Sequence, residues 1–66
     1  MDPEALELLK QPLITVPEYA RVTRTGRNSA YEAVQRGDVE VMRVGKQIRV
    51  LTAPLRRKLG IDVLAA

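Results

Sequence analysis

The sequence predicts a small α+β domain, with two short helices joined by a tight turn, a two-stranded antiparallel hairpin and a further helix. Three observations support this fold class. Apolar residues recur at helical spacing between residues 15 and 37. After Asp38 the spacing alternates as in a strand, and Gly45-Lys46 interrupts it as a two-residue hairpin loop would. The 66 residues are predicted to form one domain, with an N-terminal helical extension at 1–11 and a tail at 62–66.

The first helix is predicted to start at Asp2, where an acidic cap precedes Pro3 at the first helical position. One apolar side would then be formed by Leu6, Leu9 and Leu13. So short a helix is stable only when it docks on other elements, and we expect it to pack on its own domain. Contact with a neighbouring copy is the alternative.

The second helix begins with a capping box, in which Thr15 caps the first turn and Glu18 bonds back to the cap. It is predicted to end at Val22 or Thr23, and its buried side would consist of Val16, Tyr19 and Ala20. The polar segment 23–26 then forms a short turn that contains a glycine. Two short helices joined in this way make a helix-turn-helix pattern.

The third helix, within residues 25–37, is the most informative segment. Thr25 is its expected N-cap, and Gly37 is its expected end because glycine adopts the left-handed conformation at little cost. A buried stripe of small residues is predicted at Ala30, Ala33 and Val34. At about 100° per residue, the opposite face carries Asn28, Tyr31, Glu32 and Gln35, with Arg27 near its edge.

The side chains of this exposed face can read base edges. Asn and Gln bond adenine bidentately, Arg bonds guanine, and Glu accepts a hydrogen bond from cytosine. The small buried residues let the helix lie close to its support, which suits a recognition helix in a major groove. An ordinary solvated helix face contains similar residues and stays open as the alternative.

The hairpin is predicted to pair Val44 with Gln47 and Val41 with Val50 around a type II′ turn that has Gly45 at its first central position. One face would carry Val39, Val41, Ile48 and Val50, with Arg43 near the tip. The cations Arg43, Lys46 and Arg49 make this ribbon basic, so it can contact phosphates or a minor groove. A merely solvated hairpin is the alternative, and either form must lean on the helices.

The fourth helix is predicted to have Thr52 as its cap and Pro54 in its first turn. Leu55 and Leu59 form a narrow buried stripe, and Gly60 ends the helix so that Ile61 folds back on Leu55. The cations at 56–58 suit the C-terminal end of the helix dipole, and phosphate contact is their alternative role. The tail 62–66 is expected to fray, with partner binding through Val63 and Leu64 as the alternative.

Composition argues against several functional classes. The chain contains no Cys and no His, so it lacks disulfides, the commonest metal ligands and the usual general base. We therefore expect a protein that is not an enzyme and uses no metal or cofactor. No apolar run approaches the roughly 18 residues of a membrane span, and the N-terminus lacks the pattern of a signal peptide. A cytoplasmic location is expected.

Charge is distributed unevenly along the chain. Residues 12–66 hold ten Lys and Arg against five Asp and Glu, a net charge of +5, whereas residues 1–11 carry −2. A basic small domain favours a polyanionic partner, most simply nucleic acid. The alternative is a soluble surface that is basic but has no such partner.

The order of these elements resembles the small winged-helix DNA-binding domain of the excisionase family, which is related to MerR-type domains. The resemblance spans about residues 13–59, through the segments 13–20, 29–38 and 42–50. The spacing from Tyr31 to Gly37 and the turn Arg43-Val44-Gly45 are its most characteristic parts. The chain departs from the family at Thr23-Arg24-Thr25, where the family usually has Leu-Gly-Val, and at Gly26, which replaces the usual Ser.

The resemblance implies a winged helix-turn-helix fold with a two-stranded antiparallel wing. It also implies that the protein is a phage recombination directionality factor. Such a protein binds and bends attachment-site DNA, often as several cooperative copies, and directs integrase towards excision without catalysing anything itself. It acts in the cytoplasm of the host bacterial cell. The implied recognition-helix residues are Arg24, Arg27, Asn28, Ser29, Tyr31, Glu32 and Gln35. The implied wing residues are Arg43, Lys46, Gln47 and Arg49.

Two other functions remain open. A small winged-helix transcriptional regulator, such as a repressor, shares the same domain and is the first alternative. A MerR-type activator fits less well, because the long dimerising helix and the effector domain are missing from this sequence. A protein-interaction module whose basic face binds an acidic partner is the hypothesis from a different functional class.

Overall fold

The computed structural model describes residues 2–61 of the chain. Four helices and three strands follow one another within this range. In chain order they are α1 (Pro3–Lys10), β1 (Leu13–Ile14), α2 (Val16–Thr23), α3 (Arg27–Arg36), β2 (Val41–Val44), β3 (Gln47–Leu51) and α4 (Thr52–Leu59). The strands form one antiparallel sheet in the order β1-β3-β2. The fold is thus a small α+β domain, consistent with a winged-helix-like arrangement.

The predicted caps of α1 and α2 are confirmed. The side chain of Asp2 accepts a hydrogen bond from the backbone amide of Glu4 across 3.1 Å. At the start of α2 the amide of Glu18 donates to Thr15 Oγ1 at 3.2 Å, and the amide of Thr15 donates to Glu18 Oε1 at 2.8 Å. This reciprocal pair satisfies two amides that have no partner inside the helix, and it fixes the point at which the chain leaves β1.

The predicted N-caps of α3 and α4 are wrong. Gly26, which has no side chain, occupies the N-cap of α3, while the hydroxyl of Thr25 pairs with that of Thr23 at 2.9 Å. Leu51 occupies the N-cap of α4, one residue before the expected Thr52. Thr52 is fully buried, and its hydroxyl donates instead to the backbone carbonyls of Gln11 and Pro12. A tertiary contact therefore replaces the local cap.

The hairpin has the predicted register, with Val44 opposite Gln47 and Val41 opposite Val50. Gly45 has a φ of 63° and Lys46 keeps a negative φ, the combination that distinguishes a type II′ turn from type I′. The sequence prediction was wrong about strand number, because β1 pairs with β3 through Leu13–Leu51 and Ile14–Val50. A two-residue strand is too short to leave a periodic signal, so Leu13 was assigned to the apolar side of α1.

Three of the helices end with the same backbone motif. At the end of α4, the amide of Ile61 donates to the carbonyl of Arg56, and that of Gly60 donates to Arg57. Equivalent pairs of bonds close α3 at Gly37 and α2 at Arg24. This is a Schellman motif, in which one residue must adopt a left-handed conformation. Gly37 and Gly60 were predicted in this role, and both have positive φ angles of 80° and 70°.

The core lies between the helices and one face of the sheet. Its most deeply buried large side chains are Leu9, Ile14 and Val50, which lie on α1, β1 and β3. α2 packs against α1, α3 and β3, and α1 also packs against α4. The N-terminal helix therefore packs on its own domain, as predicted. Of its expected apolar side, Leu9 is buried and Leu6 is half-buried, and Ala5 is buried in addition.

The fourth helix departs from its predicted buried stripe. Leu55 is buried, as predicted, but Leu59 is 39% exposed.

The remaining sequence predictions concern burial and location. Val16 and Ala20 are buried in α2 and Tyr19 is half-buried, while Val22 is buried in addition. The prediction for the tail 62–66 lies outside the described residues. None of the helices within residues 2–61 has the length and apolarity that a membrane crossing needs.

Candidate nucleic-acid interface

The polar face of α3 is the first component of the site. Ala30 and Ala33 are buried, and Val34 is half-buried against the core. The face directly opposite this small-residue stripe is centred on Asn28, Glu32 and Gln35, all of which are exposed. Ten residues make a helix of about 15 Å, which is comparable with the major-groove width of about 12 Å. The helix thus presents an amide, a carboxylate and a second amide on one accessible face.

Tyr31 lies on the flank of α3 that meets the hairpin. Its side chain is 42% exposed. A groove of about 330 Å³ runs between this flank, the start of α2 and the hairpin tip. Its lining consists of Thr15, Val16, Pro17, Tyr31, Lys46, Gln47, Ile48 and Arg49. The fold therefore places Tyr31 beside Lys46 and Arg49, which lie 15 and 18 residues further along the chain.

The groove exists because β1 is shorter than β3. Within the hairpin, the amide of Leu51 donates to the carbonyl of Glu40, so alternate β3 residues direct their amides towards β2. By the same alternation, the amides of Ile48 and Val50 point to the other side. Val50 lies opposite Ile14, but β1 ends there and the chain turns into α2. The amide of Ile48 therefore points to the side of β3 that β1 does not cover, and Ile48 is part of the groove lining.

The three cations of the hairpin have different surroundings. Lys46 is exposed at the tip and lines the groove. Arg49 is half-buried, and its guanidinium donates to the side-chain oxygen of Gln47 and, at 3.1 Å, to the carbonyl of Ile48. Arg43 lies opposite Ile48, on the core side of the sheet but exposed near the tip. Lys46 and Arg49 thus border the groove together, whereas Arg43 projects from the other face.

Of the predicted residues, only Tyr31, Lys46, Gln47 and Arg49 line the groove. Besides the polar face of α3 and Arg43, three more lie outside it. Ser29 is exposed. It precedes Tyr31 by two residues, which is a rotation of about 200° around the helix axis, so it lies on the opposite flank of α3. Arg27 is the first residue of α3 and is exposed. Arg24 lies in the turn before the helix. Arg24 and Arg27 place two cations at the N-terminal end of α3, where the helix dipole is also positive.

Arg24 has an unusual backbone. Its φ and ψ are 58° and 43°, and within the described residues it is the one non-glycine residue with positive φ. The conformation follows from the Schellman end of α2, where the amide of Thr25 reaches back to the carbonyl of Ala20. An arginine thus occupies a left-handed position that glycine adopts at less cost, and it adds a cation to the turn before α3.

The cations of α4 have mainly internal roles. Arg56 donates to the carbonyl of Leu9 at 2.6 Å and to Thr52 Oγ1 at 3.1 Å. Lys58 donates to the carbonyl of Asp38 at 2.6 Å, just beyond the end of α3. Arg57 between them is exposed. Two of the three cations thus hold elements of the fold together, a role that helix-dipole reasoning from the sequence missed.

Sequence reasoning also missed the contribution of α2 to the groove. Thr15, Val16 and Pro17 line it, although the sequence marked Thr15 only as the start of a helix. The available signal was the capping box itself, since it fixes where α2 begins. The capping box does not show that the start of α2 lies beside the hairpin tip, because that placement depends on tertiary packing.

A second groove of about 340 Å³ lies along α4, between Ala53, Arg56, Arg57, Gly60 and Ile61. It contains none of the predicted recognition-helix or wing residues. Its lining includes Ile61, the last residue that the structure describes. The groove beside Tyr31 is therefore the one that contains residues from both the predicted recognition helix and the predicted wing.

Comparison with known proteins gives no assignment. No protein-family model matches the sequence, and the searches of curated proteins and of solved structures returned no match.

Proposed function

We propose that the chain is a winged helix-turn-helix protein that binds double-stranded DNA sequence-specifically and bends it. One observation supports this proposal most strongly: Tyr31 of α3 and Lys46 of the hairpin line the same groove. A polar helix face and a basic hairpin tip are thereby held side by side. Such an arrangement suits a protein that engages two neighbouring grooves of one duplex.

The binding mode follows from this arrangement. α3 enters the major groove with Asn28, Glu32 and Gln35 towards the base edges, and the hairpin acts as a wing at the adjacent minor groove. The sugar-phosphate backbone between the two grooves then passes over the cleft beside Tyr31. Its phosphates meet Lys46, Arg49 and the tyrosine hydroxyl, and the backbone amide of Ile48 is an additional donor.

Affinity and specificity are carried by different side chains. Lys46, Arg49 and Arg43 contact phosphates or the minor groove, so they set the affinity for any duplex and its salt dependence. Arg27, Asn28, Glu32 and Gln35 discriminate between bases, and each good pair is worth ~1–3 kcal/mol. Arg24 and Ser29 supply further contacts at the two margins of α3.

The proposed biological role is that of an excisionase acting in the cytoplasm of a bacterial host. The resemblance over residues 13–59 supports this role, in which several copies bind attachment-site DNA and help an integrase to assemble the excisive complex. A transcriptional regulator would use the same DNA-binding surface. An excision assay with the cognate integrase separates the two, because only an excisionase raises the yield of excised DNA.

The DNA-binding proposal is tested by titrating the chain onto duplexes at two salt concentrations. One duplex comes from the attachment region of the phage or prophage that encodes the protein, and the other has the same composition in scrambled order. We expect tighter, stepwise, salt-sensitive binding to the attachment DNA. The Arg27→Ala variant should lose preference between the duplexes, while Lys46→Ala should weaken binding to both by a similar factor.

Arg57→Ala is a matched control, because it removes an exposed cation from α4, away from the groove. It should bind nearly as the wild type does. Wild-type protein that binds neither duplex at physiological salt would contradict the proposal and favour an acidic protein partner. If Arg27→Ala and Lys46→Ala both bound DNA as well as the wild type, the assigned surface would be wrong.

A further inference from the structure

The hairpin exposes two apolar side chains next to each other. Among residues 2–61, the exposed large apolar side chains are Tyr31, Met42, Val44 and Leu59. Met42 is 45% exposed and Val44 is 52% exposed. Since they are two residues apart in β2, they project from the same face of the strand. Single exposed apolar residues are ordinary, whereas these two are neighbours on one strand face next to the turn of the hairpin, which makes them a candidate contact surface.

The register shows what surrounds this pair. Met42 lies opposite Arg49 and Val44 lies opposite Gln47, and opposite residues in an antiparallel ladder share one face. We call these four residues the outer face of the wing, since the other face packs on the core through Val41 and Val50. The guanidinium of Arg49 is held on this face by the Gln47 side chain and the Ile48 carbonyl. A fixed cation therefore adjoins the apolar pair.

The charge of the wing selects its partner. Residues 41–51 contain Arg43, Lys46 and Arg49 and no Asp or Glu. Two copies that met through their outer faces would bring together the Lys46 and Arg49 side chains of both, four cations, which opposes association. A partner that combines negative charge with apolar edges fits better. A DNA minor groove has both, with phosphates along its rims and sugar and base edges between them.

We propose that Val44 and Met42, on the outer face of the wing, pack against deoxyribose and base edges in the minor groove at which the wing acts, between flanking phosphates held by Lys46 and Arg49. This inference rests on the proposed DNA-binding function and deepens it. Apolar side chains that enter a minor groove part neighbouring base steps and kink the duplex. DNA bending is thereby assigned to two apolar side chains, whereas the cations supply affinity.

The test replaces both side chains by polar ones of similar size, in the double variant M42Q/V44T. Both positions are exposed, so the thermal unfolding midpoint should stay near that of the wild type. The probe is the duplex that wild-type protein binds best from a random-sequence pool, with dyes at its two ends. We expect about tenfold weaker binding and a smaller bend by energy transfer. The slope of log affinity against log salt should not change, because no cation is lost.

Two matched variants separate this effect from others. Lys46→Ala should reduce the salt slope by about one, and Leu59→Gln makes the same kind of change to an exposed apolar side chain on α4 and should leave binding and bending unchanged. If M42Q/V44T bound and bent the duplex as the wild type does, the minor-groove assignment would be overturned while the DNA-binding function stood.

Two further outcomes bear on the proposals separately. Failure of wild-type protein to select any duplex would overturn the DNA-binding function itself. Sedimentation of the proteins without DNA tests the other occupant of the outer face. A wild-type dimer that M42Q/V44T fails to form would show that a second copy occupies this face, and would overturn the minor-groove assignment.

Discussion

Arg56 of α4 donates a hydrogen bond to the carbonyl oxygen of Leu9 across 2.6 Å, and so joins the last helix to the end of the first. The same guanidinium group also donates to the buried hydroxyl of Thr52, which in turn donates to the carbonyls of Gln11 and Pro12. The carbonyls at the end of a helix have no partner within it. This small network satisfies them and fixes the N-terminal extension against the domain.

The first prediction follows from that network. Arg56→Ala removes a charged donor to a partly buried carbonyl, and hydrogen bonds to charged groups contribute about 1.5–3 kcal/mol. We expect the free energy of unfolding to fall by about that amount, which lowers the Tm of a domain this small by roughly 4–8 °C per kcal/mol. Thermal unfolding followed by circular dichroism measures it. Arg57→Ala, at the exposed neighbour, should change the Tm little, and equal effects of the two variants would contradict the assigned role of Arg56.

The second prediction concerns the left-handed residue in the turn before α3. A non-glycine residue in this conformation costs roughly 1–2 kcal/mol, while glycine loses about 0.5–1 kcal/mol more backbone entropy on folding. Arg24→Gly should therefore raise the free energy of unfolding by about 0.5–1 kcal/mol.

Denaturant titration measures this difference, and Arg57→Gly is the control because Arg57 lies in a right-handed helix. That substitution should destabilise the chain, by roughly 1 kcal/mol. A loss of stability in Arg24→Gly would show that the Arg24 side chain stabilises the turn by more than its backbone strain costs. If Arg24 also contacts DNA, the stabilised variant should bind DNA more weakly.

The third prediction tests the corrected helix caps. Thr15→Ala breaks the capping box and should cost about 1 kcal/mol, the usual value for loss of an N-cap side chain. Thr25→Ala should change stability by less than about 0.5 kcal/mol, because Gly26 rather than Thr25 caps α3. Urea unfolding of the two variants provides the comparison. An equally large loss of unfolding free energy in Thr25→Ala would show that the Thr25 side chain caps α3 after all.

The fourth prediction concerns the acidic residue on the polar face of α3. Under the proposed function, Glu32 accepts a hydrogen bond from a base and repels the phosphates of unsuitable sites. Glu32→Gln should tighten binding to scrambled DNA and reduce the preference for the selected duplex by an amount within the ~1–3 kcal/mol of one base contact.

Competition titration between the two duplexes measures this preference. Glu7→Gln makes the same change on α1, where Glu7 pairs with Lys10, and should leave the preference unchanged. Identical preference in Glu32→Gln and the wild type would remove Glu32 from the base-reading set.

The sequence predicted most of the local structure. The capping box at Thr15, the glycines that end α3 and α4, and the hairpin register all depend on residues within a few positions of one another. The exposed set on α3 was also predictable, because a stripe of small apolar residues defines the opposite face. Strand β1 was not, since two residues give no periodicity, and Leu13 belongs to a strand only because Leu51 lies beside it.

What the sequence determined by itself is thus the starts of α1 and α2, the ends of α3 and α4, the turn of the hairpin and the polar face of α3, because short-range backbone preferences and periodic burial decide them. Only the tertiary structure decided how these parts meet. It placed Tyr31 beside Lys46, turned Thr52 from a cap into a buried donor, and used Arg56 and Lys58 to hold other elements. The physical reason is that such contacts join residues 15 to 47 positions apart, and their partners are chosen by packing rather than by sequence spacing.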